Sequence, residues 1–294
     1  MKKDKRKYLF IINPFAGVDS KDRLPQLIAE RLPTDRYDCS IQHTEYAGHA
    51  TIIARQQKNN GYDAIIAVGG DGTVNEVAAG LIHSETPMGI IPGGSGNGLA
   101  MHLGIGRNAR RALRLLGDPK IKQIDTVQMN DRFFLNMAGV GIDGLVAYKT
   151  KHSTKRGFGT YFRGAIIESV KYQNRRYTVD IDGQTYTGRF LSVNIANGSM
   201  FGYHFKVAAK ADTEDGLLDA VIIHDAKKRS YFGNAWRFWA GTMHRSKLAT
   251  SDRAPVITLT THDNTFMHID GEGYPCEPGT FEFRVLPKSL NVIC

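Results

Sequence analysis

Cysteine is scarce in this 294-residue chain, and the scarcity excludes whole classes of protein. The three cysteines, Cys39, Cys276 and Cys294, are odd in number, far apart and never spaced Cys-x-x-Cys. Neither a disulfide framework nor a cysteine zinc site is supported, and a reducing, cytosolic compartment fits best. The ten histidines form no HExxH or equivalent spacing, so no zinc is expected. Long apolar runs are missing too: none approaches the roughly 18 residues that a membrane span needs. The basic N-terminus imitates a signal peptide, but its apolar stretch at 8–12 is five residues long and stops at Asn13-Pro14. A secretory core runs about 7–15 residues, so this stretch predicts a buried first strand. The C-terminal Asn-Val-Ile-Cys is not a prenylation box, and the N-terminus lacks the glycine that myristoylation requires. Internal repeats, low-complexity tracts and Pro/Ser linkers are absent as well.

What is present is a globular composition, 41% apolar and 23% charged, which argues against a disordered or collagen-like chain. At about 150 residues per domain, two domains are expected. The net charge of +9 is unevenly spread. Residues 145–176 carry +7 and residues 227–253 carry +6, so the remainder sums to −4. Local basic surface suits an anionic partner such as phosphate, nucleic acid or a membrane face.

The first 130 residues alternate. Apolar runs at 8–12, 64–68 and 88–91 predict strands buried on both faces, with a more mixed strand at 37–43. Helical patterns at 22–32, 49–60, 74–83, 97–103 and 108–116 fall between them, which predicts βαβ units and a mostly parallel sheet. After about residue 120 the strings are rich in Val, Ile, Thr and aromatics with turns between them, which predicts a mainly antiparallel β domain. Helical stretches at 161–172 and 231–243 interrupt it. The expected division is 1–130, possibly rejoined by 286–294, and 131–285, with the site in a cleft between.

Nine of the 31 glycines lie between residues 69 and 98, seven of them in two loops that each follow a strand signal and open a helix. The first is Gly69-Gly70-Asp71-Gly72-Thr73-Val74-Asn75-Glu76; the second is Pro92-Gly93-Gly94-Ser95-Gly96-Asn97-Gly98. Glycine lets backbone N–H groups approach a ligand closely, and a following helix N-terminus favours phosphate. Thr73, Ser95 and Asn97 add short side-chain donors. Asp71 sits among those donors, where a carboxylate suits a metal ion or a hydroxyl proton. Neither loop has the Gly-Lys-Ser/Thr of a P-loop or the GxGxxG spacing of a dinucleotide fingerprint. Glu76, three residues after Thr73, fits a capping box at the helix start.

Five further acids draw attention. Asp270-Gly271-Glu272 is a turn that can aim two carboxylates into one site. Asp143 follows a β run and suits either a headgroup contact or a buried, hydrogen-bonded role. The acid-rich turn at 212–216, with Asp212 and Asp215, suits a hard, oxygen-ligated cation but lacks EF-hand spacing.

GGDGTVNEVAAGL (69–81) resembles the signature of the diacylglycerol kinase, sphingosine kinase and NAD kinase superfamily. IINPFAG (11–17), TEYAGHA (44–50), NMAGVGIDGLV (136–146), ADTEDGLLDAVII (211–223) and IDGE (269–272) are similar to further lipid-kinase blocks in the same order. The resemblance spans most of the chain. It implies an NAD kinase-like α/β nucleotide-binding domain, a C-terminal mainly antiparallel β-sandwich domain, and ATP- and Mg2+-dependent phosphoryl transfer to a lipid hydroxyl. On it, Asn13, Thr44, Gly69, Gly70, Asp71, Gly72, Thr73, Val74, Asn75, Gly94, Ser95 and Asn97 belong to the nucleotide site. Asp215 would hold Mg2+ with backbone oxygens near Asp212 and Leu217, and Asp143 is placed as a substrate contact. Glu272 would accept the proton, supported by Asp270, with Asp71 as the alternative base. The second loop, GSGNGLA, is more similar to that of sphingosine and ceramide kinases than to the bacterial diacylglycerol kinase pattern, which leaves the headgroup open.

A lipid substrate is met at an interface. Reversible contact with the inner membrane face is expected, through residues 149–176 or residues 227–247, where Phe232, Trp236, Phe238 and Trp239 lie among bases. The alternative for the second stretch is a helix with its aromatics buried. Nucleic acid is not an expected partner. Two other functions compete: a soluble-substrate kinase of the NAD kinase type, and a non-catalytic nucleotide- or membrane-binding protein.

Overall fold

Four parallel strands form the centre of the first unit: β1 (Arg6–Ile12), β2 (Tyr37–His43), β3 (Ala64–Gly69) and β4 (Met88–Pro92). The computed structural model describes residues 5–14, 23–94, 96–151, 171–201 and 205–294. Ser95, residues 15–17 of the first motif and most of the helix expected at 161–172 lie outside the described residues. The chain divides into one unit of 1–124 with 288–294 and another of 125–287.

In the first unit the spatial order is β4-β3-β1-β2. Every residue of β3 and β4 is buried, which is why these strands read as unbroken apolar runs rather than alternating ones. The register places Ile12 beside Val68 and Gly69 beside Pro92, so the strands end level. Level carboxyl ends are where ligands of open α/β sheets bind. The helices are α1 (Leu24–Arg31), α2 (His49–Gln57), α3 (Asp71–Leu81), α4 (Gly98–His102) and α5 (Ala109–Gly117). Asn108 caps α5 by accepting from the N–H groups of Arg110 and Arg111, and the helix buries Ala112, Leu113 and Leu116. Residues 288–294 return to this unit: Val292 pairs with Met88 in parallel, and the Cys294 N–H donates to Lys120 O at 3.0 Å.

One local expectation is corrected. Helix α3 starts at Asp71, with Gly70 as N-cap, so Thr73 and Glu76 sit inside it and form no capping box. Glu76 caps α2 instead. Its carboxylate accepts from the Gly48 N–H at 2.8 Å and the Ala50 N–H at 3.2 Å. The N-cap of α2 is Gly48, whose φ of 87° suits glycine and which has no side chain to cap with. A carboxylate from the next helix fills the gap and complements the dipole.

The second unit is an antiparallel β-sandwich. Its strands are β5 (Ile121–Met129), β6 (Arg132–Phe134), β7 (Met137–Gly141), β8 (Arg175–Ile181), β9 (Gln184–Ala196), β10 (Leu218–His224), β11 (Ala249–Ala254), β12 (Val256–Thr261), β13 (Thr265–Ile269), β14 (Glu272–Cys276) and β15 (Gly279–Ile293). The path β14-β13-β7-β9-β8-β12-β15 carries the sheet, and β10 pairs with β9 and β11. Val127, Phe134, Tyr177, Val193, Ile257 and Phe283 lie in its core. Helix α6 (Ile142–Lys151) packs on β13 and β14. A Cβ on Gly273 would collide with the backbone of Tyr148, so only glycine lets that helix lie there. The unit boundaries fall inside β5 and β15 rather than at 130 and 286, because both strands pass from one unit to the other. The helix expected at 231–243 is broken into α7 (Lys228–Asn234), α8 (Trp236–Ala240) and a 3-10 turn, Met243–Arg245. Gly241, at φ 65°, ends α8. No helix among the described residues is long and apolar enough to cross a membrane.

Glu76→Ala removes two charge-assisted bonds at the α2 N-terminus. It is expected to cost about 1–2 kcal/mol of stability, measured by urea unfolding followed by circular dichroism.

Candidate functional site

The two glycine loops lie against each other at the ends of β3 and β4. The Gly93 N–H donates to Gly69 O at 2.7 Å, carrying the ladder one step past the strands. A Cβ on Gly94 would stand 2.6 Å from the Gly70 Cα, and one on Gly96 would stand 3.0 Å from Asp71 Oδ2. Any other residue at 94 would push the loops apart. Their backbone contact makes one cradle at the α3 N-terminus, whose N-cap, Gly70, has no side chain. The Asp71 carboxylate lies on the second loop.

Two of the short side chains that sequence offered as ligand donors, Thr73 and Asn97, are drawn into the scaffold. Asn97 is buried with φ 53°; its Oδ1 accepts from the Gly94 N–H at 2.9 Å and its Nδ2 donates to Gly94 O at 2.7 Å. Thr73 is buried, and its hydroxyl accepts from Asn13 Nδ2 at 3.1 Å. The Thr44 N–H donates to Ile12 O at 2.9 Å, which seats Thr44 beside Asn13. Val74 is buried behind the cradle, whereas Gly72 and Asn75 lie in the first turns of α3. The cradle therefore offers mainly backbone, the chemistry that suits phosphate oxygens.

In the second unit Asp270 is a brace. With φ 46°, it accepts from the N–H groups of Leu135, Asn136 and Met137 at 2.9–3.0 Å, and its own N–H donates to Met137 O. Three such bonds fix the turn that carries Glu272. Glu272 Oε2 accepts from Lys151 Nζ at 3.1 Å and from the Tyr274 hydroxyl at 2.8 Å. The Tyr274 ring lies 4.8 Å from the Lys151 ammonium and 5.4 Å from the Arg132 guanidinium. Burial, helped by the Glu272 carboxylate, pushes the Tyr274 phenol up to about 12, so it remains a donor at neutral pH. Lys151, Arg132 and Tyr274 were not singled out from sequence; their signal is spatial, since Lys151 and Glu272 stand 121 positions apart.

Of the two roles open to Asp143, the geometry fits the buried acid. Asn194 Nδ2 donates to Asp143 Oδ2 at 2.7 Å, and Asn194 Oδ1 faces His268 Nε2 at 3.0 Å. Burial raises the Asp143 carboxyl above its ordinary range and lowers the buried His268 imidazole to about 3. Gly139, Gly141 and Gly144 carry a GxGxxG spacing that sequence reading passed over, and it needs no ligand. A Cβ at these positions would collide with Asn194, Leu191 O and Phe266 O respectively.

At the acidic turn expected to hold the metal, the carboxylates have protein partners. Arg253 forms an ion pair with Asp215 Oδ2, and its Nε donates to Asp219 Oδ2 at 3.0 Å. Asp215 Oδ1 accepts from the Leu217 N–H at 3.0 Å, and Asp212 Oδ1 from the Glu214 N–H at 3.1 Å. A guanidinium thus occupies the carboxylate that Mg2+ would need, so the turn does not fit the ion as arranged. Among the described residues no cluster of three or more His, Cys, Asp or Glu suited to a metal ion occurs.

Residues 7–129 match the diacylglycerol kinase catalytic domain, and residues 136–294, more than half of the chain, match the YegS C-terminal NAD kinase beta sandwich-like domain. A protein of Bacillus subtilis named diacylglycerol kinase is 26% identical over 96% of this chain and 94% of its own length. A Staphylococcus aureus protein of the same name is 27% identical, covering 89% and 84%. An uncharacterised Synechocystis protein is 29% identical, covering 96% of this chain and 69% of its own. The crystal structure of a diacylglycerol kinase from Bacillus anthracis shares the fold, with a TM-score of 0.73 at 23% identity over 99% and 98% of the two chains.

Two outcomes follow from this geometry. Arg253→Met leaves Asp219, almost fully buried, without its cation and is expected to lower stability by about 3 kcal/mol in thermal unfolding. His268 titrates near 6.5 when unfolded and near 3 when folded, so below pH ~6.5 the unfolded chain binds a proton that the folded chain refuses. Stability is lost as pH falls through this window. The raised Asp143 carboxyl acts with the opposite sign, so comparison with a variant is needed. His268→Gln is expected to lose about 1.4 kcal/mol less per pH unit than wild type, read by urea unfolding across pH ~5–7.

Proposed function

The chain belongs to the family that joins a diacylglycerol kinase catalytic domain to a YegS C-terminal NAD kinase beta sandwich-like domain, and from that premise we infer that it transfers the γ-phosphate of ATP to a lipid hydroxyl. The observation that carries this reading is the backbone cradle made where Gly70 meets Gly94. The α3 N-terminus at this cradle favours the nucleotide phosphates. Phosphoryl transfer asks little covalent chemistry of the protein; it asks for positioning, charge stabilisation and a group to take the hydroxyl proton. When ATP is bound, its Mg2+ would supply charge neutralisation.

Glu272 is the proposed proton acceptor. Asp270 fixes its turn, while Lys151 and Tyr274 hold one carboxylate oxygen in place. Asp71, in the cradle, is the alternative base. The names of the Bacillus and Staphylococcus relatives favour diacylglycerol as acceptor, whereas the GSGN loop leaves a sphingoid-type lipid in contention. The protein would work from the cytoplasm at the inner membrane face.

The test is transfer of labelled phosphate from ATP and Mg2+ to diacylglycerol, sphingoid base, ceramide, phosphatidylglycerol and, separately, NAD. Label is expected in one lipid class. Glu272→Gln should lower kcat about 10²–10⁴-fold with little change in the KM for ATP, and Gly94→Ala should weaken ATP binding itself. A full rate in Glu272→Gln beside loss in Asp71→Asn would move the proton to Asp71. Label in NADP alone would overturn the lipid reading.

A further inference from the structure

Helices α7 and α8 carry two exposed aromatic side chains. Neither helix has a buried residue, and Phe232 and Trp236 are 45% and 56% exposed. The two side chains stand four positions apart, and Ala235 between the helices keeps helical angles (φ −56°, ψ −36°), so they fall on one side.

The other side is tied down. The Tyr231 hydroxyl donates to His224 O at 2.9 Å and accepts from the Ala226 N–H at 2.7 Å. Phe238 stacks on Phe205 with ring centroids 4.5 Å apart, and Trp239 meets the same ring edge-on at 5.3 Å. This anchoring answers the alternative of a buried helix: Tyr231, Phe238 and Trp239 are partly buried against the unit, whereas Phe232 and Trp236 are exposed.

Charge identifies the occupant. Residues 227–247 hold six bases, Lys227, Lys228, Arg229, Arg237, Arg245 and Lys247, and no acid. The Arg237 guanidinium lies 4.9 Å from the Trp236 ring centroid and is steadied by Asn234 Oδ1 at 2.9 Å. A protein partner would ask for a shaped groove, and a single-stranded nucleic acid, which also uses rings among cations, is separated by the test below. Exposed Trp and Phe ringed by Lys and Arg match the headgroup layer of an anionic bilayer, where the rings enter the acyl boundary and the cations meet phosphates.

We propose that the α7–α8 face is the docking surface by which this protein holds an anionic membrane. The face does not depend on the kinase reading, since docking is measured without nucleotide. The full-length protein is sedimented with vesicles of phosphatidylcholine, with and without phosphatidylglycerol, in low and high salt. Binding is expected only with the anionic lipid, weakened by salt. The chain's two tryptophans, Trp236 and Trp239, should shift emission to the blue on binding. Phe232→Ser with Trp236→Ser, and separately Lys228→Glu with Arg229→Glu, should each weaken binding about tenfold or more, with the melting temperature unchanged because these side chains are exposed. Undiminished vesicle binding in both double variants would overturn the proposal. So would wild-type protein that ignores anionic vesicles but retains single-stranded nucleic acid in a salt-dependent way.

Discussion

The approach of Gly70 to Gly94 is the contact on which the first unit's chemistry rests. It follows from the sheet: β3 and β4 run parallel in a register that ends at Gly69 and Pro92, so both following loops leave from the same level. Two loops leaving together would ordinarily be separated by their side chains. With only hydrogen at 70, 93 and 94 they close on each other, and the Gly93 N–H to Gly69 O bond fixes the join. Asn97 then spends its carboxamide on Gly94 and Asn13 its amide on Thr73, so the polar side chains stiffen the cradle.

Several acids serve the fold rather than the reaction. Glu76 holds two N–H groups of α2, Asp270 holds three before β7, and Asp125 accepts from the Gly216 N–H at 2.7 Å. Each replaces backbone partners that loops and helix ends would otherwise lack. Asp219 and Asp215 share Arg253, an internal cation with no dependence on metal supply. Asp71 and Glu272 differ from these acids: Asp71 sits in the cradle, and Glu272 is half-exposed and bonded through one oxygen.

Much of this was legible in the residues. The fully buried strands announced themselves as apolar runs, and Tyr37–His43 as a mixed one, because burial on one face or two writes a different pattern. The glycine loops were legible because their function is close approach. Three features were not. Thr73 and Glu76 had the spacing of a capping box, but α3 starts two residues before Thr73 and the carboxylate serves a helix 26–28 positions away. Arg253 lies 38 positions from Asp215, so a turn that reads as a cation site is filled by a cation from another strand. The break between α7 and α8 hides in a stretch whose aromatic periodicity looks continuous. Local pattern records burial and turn chemistry, whereas long-range partners of polar groups leave no mark on it.

Glu272, the proposed proton acceptor, shows how such partners shape a carboxylate. A carboxylate that must take a proton has to be oriented without being consumed. The two bonds it accepts, from Lys151 and Tyr274, both fall on Oε2. Among the described residues Oε1 is left as the oxygen able to meet a hydroxyl. Tyr274 is suited to its part because burial and the carboxylate keep its phenol protonated, so it donates. Lys151 and Arg132 lie near the Tyr274 ring, where a cation is attracted by the π-face, and so fix the phenol. Asp270 sets the backbone from which Glu272 projects. The acid is thus placed by one brace on its main chain and a cation-aromatic pair on its side chain, none of which consumes Oε1.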